Sequence, residues 1–338
     1  MIKEYLTYDD VQILPKYSKI EHRINCSTKT HVTKNWELTI PIVSSPMDTV
    51  TEVTMAQEMN ELGGLGIIHR FLSIEEQANQ IARVTLGPSS AAIGVTGDFI
   101  ERAQELVNKD CKILCIDVAH GHHKLVKEAI RRIKNEVNGQ VDLLVGNIST
   151  GESARDLCEW GADGLRIGIG GGSLCSTRIQ TGVGVPMVSS ILSCVAVADE
   201  YNVPCMADGG IRNIGDVCKG LGCGADTIML GSLLSGTKES PGSITKQGEW
   251  PNERLQKKYR GSASRDSKLD RGERNNVEGY STTIPYKGKV KRIISDITDG
   301  LKSSMSYVGA NNLNEFHSKC ELIKVTNAGV VEAKPHLL

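Results

Sequence analysis

The sequence is that of an α/β protein, a (βα)₈ TIM barrel carrying a C-terminal flap, and three observations lead there. Short β-branched runs alternate with stretches of helical period along most of the 338 residues. Two segments share length and punctuation. Val145-Gly146-Asn147-Ile148 leads to Gly161-Ala162-Asp163 and a strand ending at Gly168, and Ala207-Asp208-Gly209-Gly210 leads to Gly224-Ala225-Asp226 and a strand ending at Gly231. Such an echo is that of equivalent βα units in one barrel. Finally, the C-terminal ends of the expected strands carry glycines and polar groups, which is where a barrel places its chemistry.

The chain reads as one catalytic domain, 1–338, opening with an irregular arm over 1–39. Strands are expected at 40–43, 66–68, 92–95, 113–117, 143–146, 164–167, 205–207 and 227–230. Helices are expected at 52–61, 74–83, 99–108, 124–135, 154–159, 190–199 and 215–220. Beyond the eighth strand the rhythm stops. Residues 236–290 are polar and aperiodic, and a stretch this long inside a compact domain reads as a lid over a ligand. Its fixed points are Tyr259-Arg260-Gly261-Ser262-Ala263-Ser264 and Asn275-Asn276-Val277-Glu278-Gly279. Closing helices at 293–301 and 313–316 flank Ser306-Tyr307-Val308-Gly309-Ala310.

Composition narrows the class. A chain 39% hydrophobic and 23% charged is globular, and a net charge of −1 with no basic run gives no case for nucleic acid. No apolar stretch approaches a membrane span, and nothing N-terminal resembles a signal peptide. Ten cysteines without paired spacing read as reduced, cytoplasmic thiols. Cys111, Cys115, Cys158, Cys194, Cys205, Cys218 and Cys223 fall in or beside regular elements and read as packing residues.

One cysteine differs. From Gly168 to Gly184 six glycines surround Ser173, Cys175, Ser176, Thr177 and Arg178. A thiol reacts as its thiolate, which a nearby cation or oriented backbone N–H groups favour, so Cys175 reads as a nucleophile. Gly209, Gly210, Gly231 and Ser232, at the ends of strands seven and eight, sit where barrels hold a phosphate on backbone N–H groups. Asp117, ending strand four, either accepts a hydrogen bond from a ligand amide or caps the next helix. His120, His122 and His123 have no carboxylate near them but Asp117 and are not a usual metal set.

The run Gly168-Ile-Gly-Gly-Gly-Ser-Leu-Cys175-Ser-Thr-Arg-Ile-Gln-Thr-Gly-Val-Gly184 resembles the active-site loop of the IMP dehydrogenase/GMP reductase family. Leu6-Thr-Tyr-Asp-Asp10 resembles the family's opening segment, and the likeness covers nearly the whole chain. It implies that Cys175 attacks C2 of a purine nucleotide to form a thioimidate, with hydride exchanged between C2 and a nicotinamide. It further implies that Thr177 and Glu278 relay the proton. Asp208, Gly209, Gly210, Gly231, Ser232, Gly261, Ser262, Ala263, Asn275, Asn276 and Gly279 would hold the nucleotide. Arg70, Asp117, Val118, Ala119, Ile169, Gly170 and Ser306, Tyr307, Val308, Gly309 would hold the cofactor. Carbonyls of Gly170, Gly172 and Cys175 would bind a monovalent cation such as K⁺. A homotetramer is implied as well.

Motifs of both branches are present. Ser44–Val50, Gly63–Gly66 and Thr237–Gly242 look like a dehydrogenase, whereas Asp117–Gly121, His69-Arg70-Phe71 and Ser306–Gly309 look like reductases. No regulatory insert fits between Arg83 and Ala92. The mechanistic point decides. Hydrolysing the adduct needs an activated water, which dehydrogenases typically serve with an Arg-Tyr pair in the flap, and there is no tyrosine between Gly261 and Gly279. The sequence therefore favours NADPH-dependent reductive deamination of GMP to IMP and ammonia. The alternatives are an insert-free IMP dehydrogenase and a catalytically silent nucleotide-binding barrel.

Overall fold

Eight parallel strands close on themselves: β1 (Ile42–Ser44), β2 (Leu65–Ile68), β3 (Ser90–Ile93), β4 (Ile113–Asp117), β5 (Asp142–Ile148), β6 (Gly164–Ile167), β7 (Cys205–Asp208) and β8 (Thr227–Leu230). β8 pairs back onto β1 through Ile228 and Ile42, completing the barrel. The computed structural model describes residues 2–137, 139–248, 251–272 and 277–334. All eight expected strands are present, with ends shifted by at most two residues. Their runs are apolar throughout because both faces are covered. Val43, Leu65, Ile67, Cys115, Leu144, Met206 and Met229 fill the interior, while neighbours such as Ile42, Ile68, Leu114, Val145 and Ile228 pack in the layer beneath the helices.

Helices α1 (Val53–Glu61), α2 (Ile74–Ile81), α3 (Phe99–Asn108), α4 (Lys124–Val137) and α5 (Gly151–Trp160) follow the first five strands. A short α6 (Thr177–Thr181) precedes α7 (Met187–Ala198) after β6, and α8 (Ile214–Gly222) follows β7. Local sequence sets their starts. Ser73 and Glu76 form a reciprocal capping box at α2, and the side chain of Asn213 accepts the Asp216 N–H at α8. No helix among the described residues is long and apolar enough to cross a membrane.

The internal echo has a physical basis. Gly161 and Gly224 both take left-handed backbone (φ 99° and 98°) after a helix. The aspartates two residues on then do the same work: Asp163 Oδ2 accepts the Leu143 N–H at 2.9 Å, and Asp226 Oδ2 accepts the Cys205 N–H at 2.7 Å. Each stitches the start of one strand to the next at the closed end of the barrel.

Three expectations change. The arm is not wholly irregular: a hairpin of Thr30–Thr33 and Trp36–Leu38 plugs the barrel floor with Val32 and Leu38, and Val11–Ile13 pairs with Leu322–Lys324. The flap contains an antiparallel sheet, β9 (Thr245–Gln247), β10 (Arg254–Arg260) and β11 (Ser281–Pro285), and helix α9 (Arg265–Asp270). Its strands are mostly exposed, so hydrophobic alternation does not betray them. The closing helix is longer than 293–301. Val290, Ile294, Ile297, Leu301, Met305 and Val308 keep one apolar face through α10 (Val290–Val308), so Ser306 to Val308 are its last turn.

The flap joins the barrel through a narrow neck. Lys238 N–H donates to Gly288 O at 2.7 Å and Lys287 N–H to Gly236 O at 2.9 Å. Buried Lys257 donates from Nζ to the carbonyls of Thr237 and Ser240, and buried Glu239 accepts the Val290 N–H at 2.8 Å.

Burial pushes the Asp226 carboxyl up to about 7 despite the Cys205 N–H that favours its charge. Between the ordinary value of about 4 and about 7 the folded protein holds a proton that the unfolded chain has released. Stability is therefore expected to fall as pH rises through that window, by at most about 1.4 kcal/mol per pH unit from this group. Urea unfolding at pH 5, 6 and 7 checks it: Asp226→Asn should flatten the slope, and an unchanged slope would refute the assignment.

Candidate active site

Two glycine loops meet backbone to backbone at the mouth of the barrel. A Cβ on Gly168 (φ 143°) would fall 1.9 Å from the carbonyl oxygen of Asp208, and one on Gly209 (φ 107°) 2.8 Å from the carbonyl carbon of Gly171. Gly210 N–H donates to Gly171 O at 2.7 Å, so that donor is engaged in holding the loops together. Above the contact opens a cavity of about 380 Å³, walled by strand ends, the loop after β6 and the flap.

Cys175 stands in that wall, its N–H donated to Gly172 O at 3.0 Å. The thiol donates to Thr177 Oγ1 at 3.1 Å, and the Thr177 hydroxyl donates to Glu278 Oε2 at 2.7 Å. The carboxylate arrives on the flap, which docks as an improvised strand. Ser176 N–H donates to Glu278 O, Tyr280 N–H to Leu174 O and Glu278 N–H to Ala263 O, each at 3.0 Å. Thiol, hydroxyl and carboxylate thus form one continuous hydrogen-bonded path for a proton. Arg178, the cation expected beside the thiol, instead folds back on its own loop and donates to the carbonyls of Val185 (2.5 Å) and Ile169 (3.4 Å). It staples the loop.

At one end of the cavity Gly231 and Ser232 lie beside hydroxyls that the sequence reading left without a role. Ser173 Oγ and Tyr259 Oη are 3.0 Å apart, and a Cβ on Gly231 would lie 3.2 Å from Ser45 Oγ and 3.3 Å from Tyr259 Oη. Ser45 Oγ is buried and has no hydrogen-bond partner among the described residues. Burial holds the Tyr259 phenol above its ordinary range, so it remains a donor. Glycine N–H groups ringed by hydroxyls suit a phosphate.

In the floor, Arg166 Nε donates to Asp208 Oδ2 at 3.0 Å and Nη1 to Asp117 Oδ1 at 2.5 Å. Asn147 Nδ2 donates to the same Asp208 oxygen at 2.7 Å and to Gly168 O at 2.8 Å. Burial opposes the charge on Arg166, but the carboxylates of Asp208 and Asp117 outweigh it and hold the guanidinium above its ordinary range. Asp117 therefore serves the cavity and caps no helix. Beyond it lie Val118, Ala119, Ile169 and Gly170, with Phe71 between the guanidinium groups of Arg70 (5.1 Å) and Arg271 (4.3 Å). Arg70 Nε lies 3.8 Å from Asp117 Oδ2 and makes no hydrogen bond among the described residues.

Of the residues named from the sequence, Cys175, Thr177, Glu278, Asp208, Gly209, Gly210, Gly231, Ser232, Gly261, Ser262, Ala263 and Gly279 all line this one cavity. So do Arg70, Asp117, Val118, Ala119, Ile169, Gly170 and Gly172. Asn275 and Asn276 lie outside the described residues. Ser306, Tyr307, Val308 and Gly309 do not reach the cavity; they sit at the end of α10 against the arm, where Tyr307 O accepts the Lys16 N–H at 2.9 Å. His122 pairs with Asp156 at 2.8 Å and stacks on Trp160. No His, Cys, Asp and Glu cluster among the described residues could hold a metal. The sequence reading missed Arg166, Ser45, Lys268 and Arg271. A charged residue inside the apolar run of β6 was the available signal for Arg166.

A family model described as "IMP dehydrogenase / GMP reductase domain" matches residues 5–336. An inosine-5'-monophosphate dehydrogenase of Cryptosporidium parvum is 36% identical over 98% of this chain and 94% of its own length. A GMP reductase of Leishmania major is 29% identical over 99% and 97%. Among solved structures, a cysteine-to-alanine variant of Trypanosoma brucei GMP reductase in complex with guanosine 5'-monophosphate superposes with a TM-score of 0.93 at 30% identity, covering 100% of this chain and 98% of that one.

Eight of the ten cysteines are buried, and Cys320 is partly exposed with its thiol pushed up to about 11 by burial. Burial likewise holds Cys111, Cys115, Cys194 and Cys223 at about 12. Iodoacetamide at pH 7.5 should therefore add one label to the native protein, at Cys175, and none rapidly to Cys175→Ser. Mass spectrometry of intact protein and peptides reads the result. Fast labelling elsewhere would count against Cys175 as the reactive thiol.

Proposed function

The chain belongs to the IMP dehydrogenase/GMP reductase family of oxidoreductases acting on purine nucleotides, and within it we propose that it is a GMP reductase. The observation that carries this reading is the relay Cys175–Thr177–Glu278, closed by a flap that has no tyrosine between Gly261 and Gly279.

In this reading GMP lies with its phosphate against Gly231, Ser232 and Tyr259, its ribose hydroxyls on Asp208 and C2 of its base at Cys175. The sulfur adds to C2 as the thiol proton passes through Thr177 to Glu278. That proton is then returned to the 2-amino group, and the C2–N bond breaks with release of ammonia. NADPH, when bound, supplies the hydride that C2 accepts. Expulsion of the thiolate leaves IMP. In this reading the wall of Arg70, Asp117, Val118 and Ala119 holds the cofactor, with Arg70 Nε 3.8 Å from Asp117 Oδ2 and its guanidinium over the Phe71 ring. Docking of the flap excludes water that would otherwise divert the adduct.

A monovalent cation belongs to the same reading, on the carbonyls of Gly170, Gly172 and Cys175. So does a homotetramer: Tyr17, Ile24 and Tyr307 are largely exposed where the arm meets α10. Ten free thiols agree with the cytoplasm. The dehydrogenase reading is favoured by the 36% identity to the Cryptosporidium parvum IMP dehydrogenase and by the motifs at Ser44–Val50, Gly63–Gly66 and Thr237–Gly242.

Two measurements test the proposal. GMP with NADPH should consume reduced nicotinamide and yield IMP and ammonia, whereas IMP with NAD⁺ should form little XMP. Robust XMP formation would make the protein an insert-free dehydrogenase. Glu278→Gln should slow deamination by roughly 10²–10⁴-fold while leaving hydride exchange between IMP and NADP⁺ much less affected. Equal losses in both half-reactions would mean that the carboxylate serves only flap closure.

A further inference from the structure

Arg166 occupies an unusual place. It sits mid-strand in β6, 8% exposed, between the fully buried Leu165 and Ile167. Gly146 on β5 makes the room: a Cβ there would fall 2.6 Å from that of Arg166. From this position the guanidinium reaches Asp208 on β7, the neighbouring strand on one side, and Asp117 on β4, two strands away on the other. The two carboxylates line different parts of the cavity. Asp208 is followed by the glycines of the phosphate end, and Asp117 by Val118 and Ala119.

We propose that Arg166 is a positioning residue shared by the two halves of the site, through which the acceptor strength of Asp208 toward the nucleotide depends on Asp117. The proposal rests on the reading of the cavity as a nucleotide site with a cofactor beside it. A guanidinium is a rigid planar fork whose charge is divided between its two partners. Neutralising Asp117 concentrates that charge on Asp208, which then accepts a ligand hydroxyl less well, so nucleotide binding should weaken. Direct Coulomb interaction gives the opposite sign, since removing an anion from the wall should tighten binding of a phosphate dianion.

Calorimetric titration of GMP into the full-length, cofactor-free protein separates the two. Asp117→Asn should weaken GMP by about three- to tenfold, and this loss should vanish in an Arg166→Lys background, because an ammonium cannot span both carboxylates. Unchanged or tighter GMP binding in Asp117→Asn overturns the proposal, as does an equal loss in the Arg166→Lys background. If Arg166→Lys does not fold, the sign of the Asp117→Asn effect decides alone. Wild-type protein that binds IMP but not GMP would sink the reductase reading, while the same cycle run with IMP still decides the role of Arg166. Binding of neither nucleotide sinks both.

Discussion

The close approach of two glycine loops sets the geometry of everything above the barrel. Side chains cannot enter between Gly168 and Asp208 or between Gly209 and Gly171, so the loop after β6 lies directly on the end of β7. A Cβ placed 1.9 Å from a carbonyl oxygen is not something that small adjustments relieve. Because that base is fixed, Cys175 is presented to the cavity rather than buried like most of the other cysteines, and the edge at Leu174 and Ser176 is free to pair with the flap. The proton path from sulfur to carboxylate follows from a backbone contact in which neither residue takes part.

How far the sequence discloses this depends on the range of the interaction concerned. The barrel strands are legible because both of their faces are buried, which leaves continuous apolar runs. The Asp163 and Asp226 stitches are legible as a repeat because each closes within one βα unit. Cys175 and Thr177 are neighbours in a loop whose composition has few structural explanations. Glu278, 101 positions from Thr177, was reachable only through the family likeness.

What stayed hidden depends on pairing at a distance or on exposed structure. The bonds of Arg166 span 42 and 49 positions, and neither partner carries a local sign of it. The floor hairpin is two short strands whose apolar residues, Val32 and Leu38, are too few to make a pattern. In the flap sheet, buried Lys257 faces inward where alternation would call for an apolar residue, which leaves Tyr259 too isolated to make a pattern. The serines at 303, 304 and 306 obscured an apolar face that in fact continues to Val308.

The neck at Gly236 and Gly288 has a consequence for how such a protein changes over time. A segment whose two ends already lie side by side adds little loop-closure cost to the body that carries it, whatever its length. The β8–α10 junction is therefore a socket. In the proposed function the barrel supplies the thiol, the phosphate seat and the acceptor carboxylates, and whatever is plugged in supplies the group that manages the leaving atom. In the proposed reading, one scaffold can in this way host different fates for a shared covalent adduct, with the choice written in some fifty residues inserted at one junction.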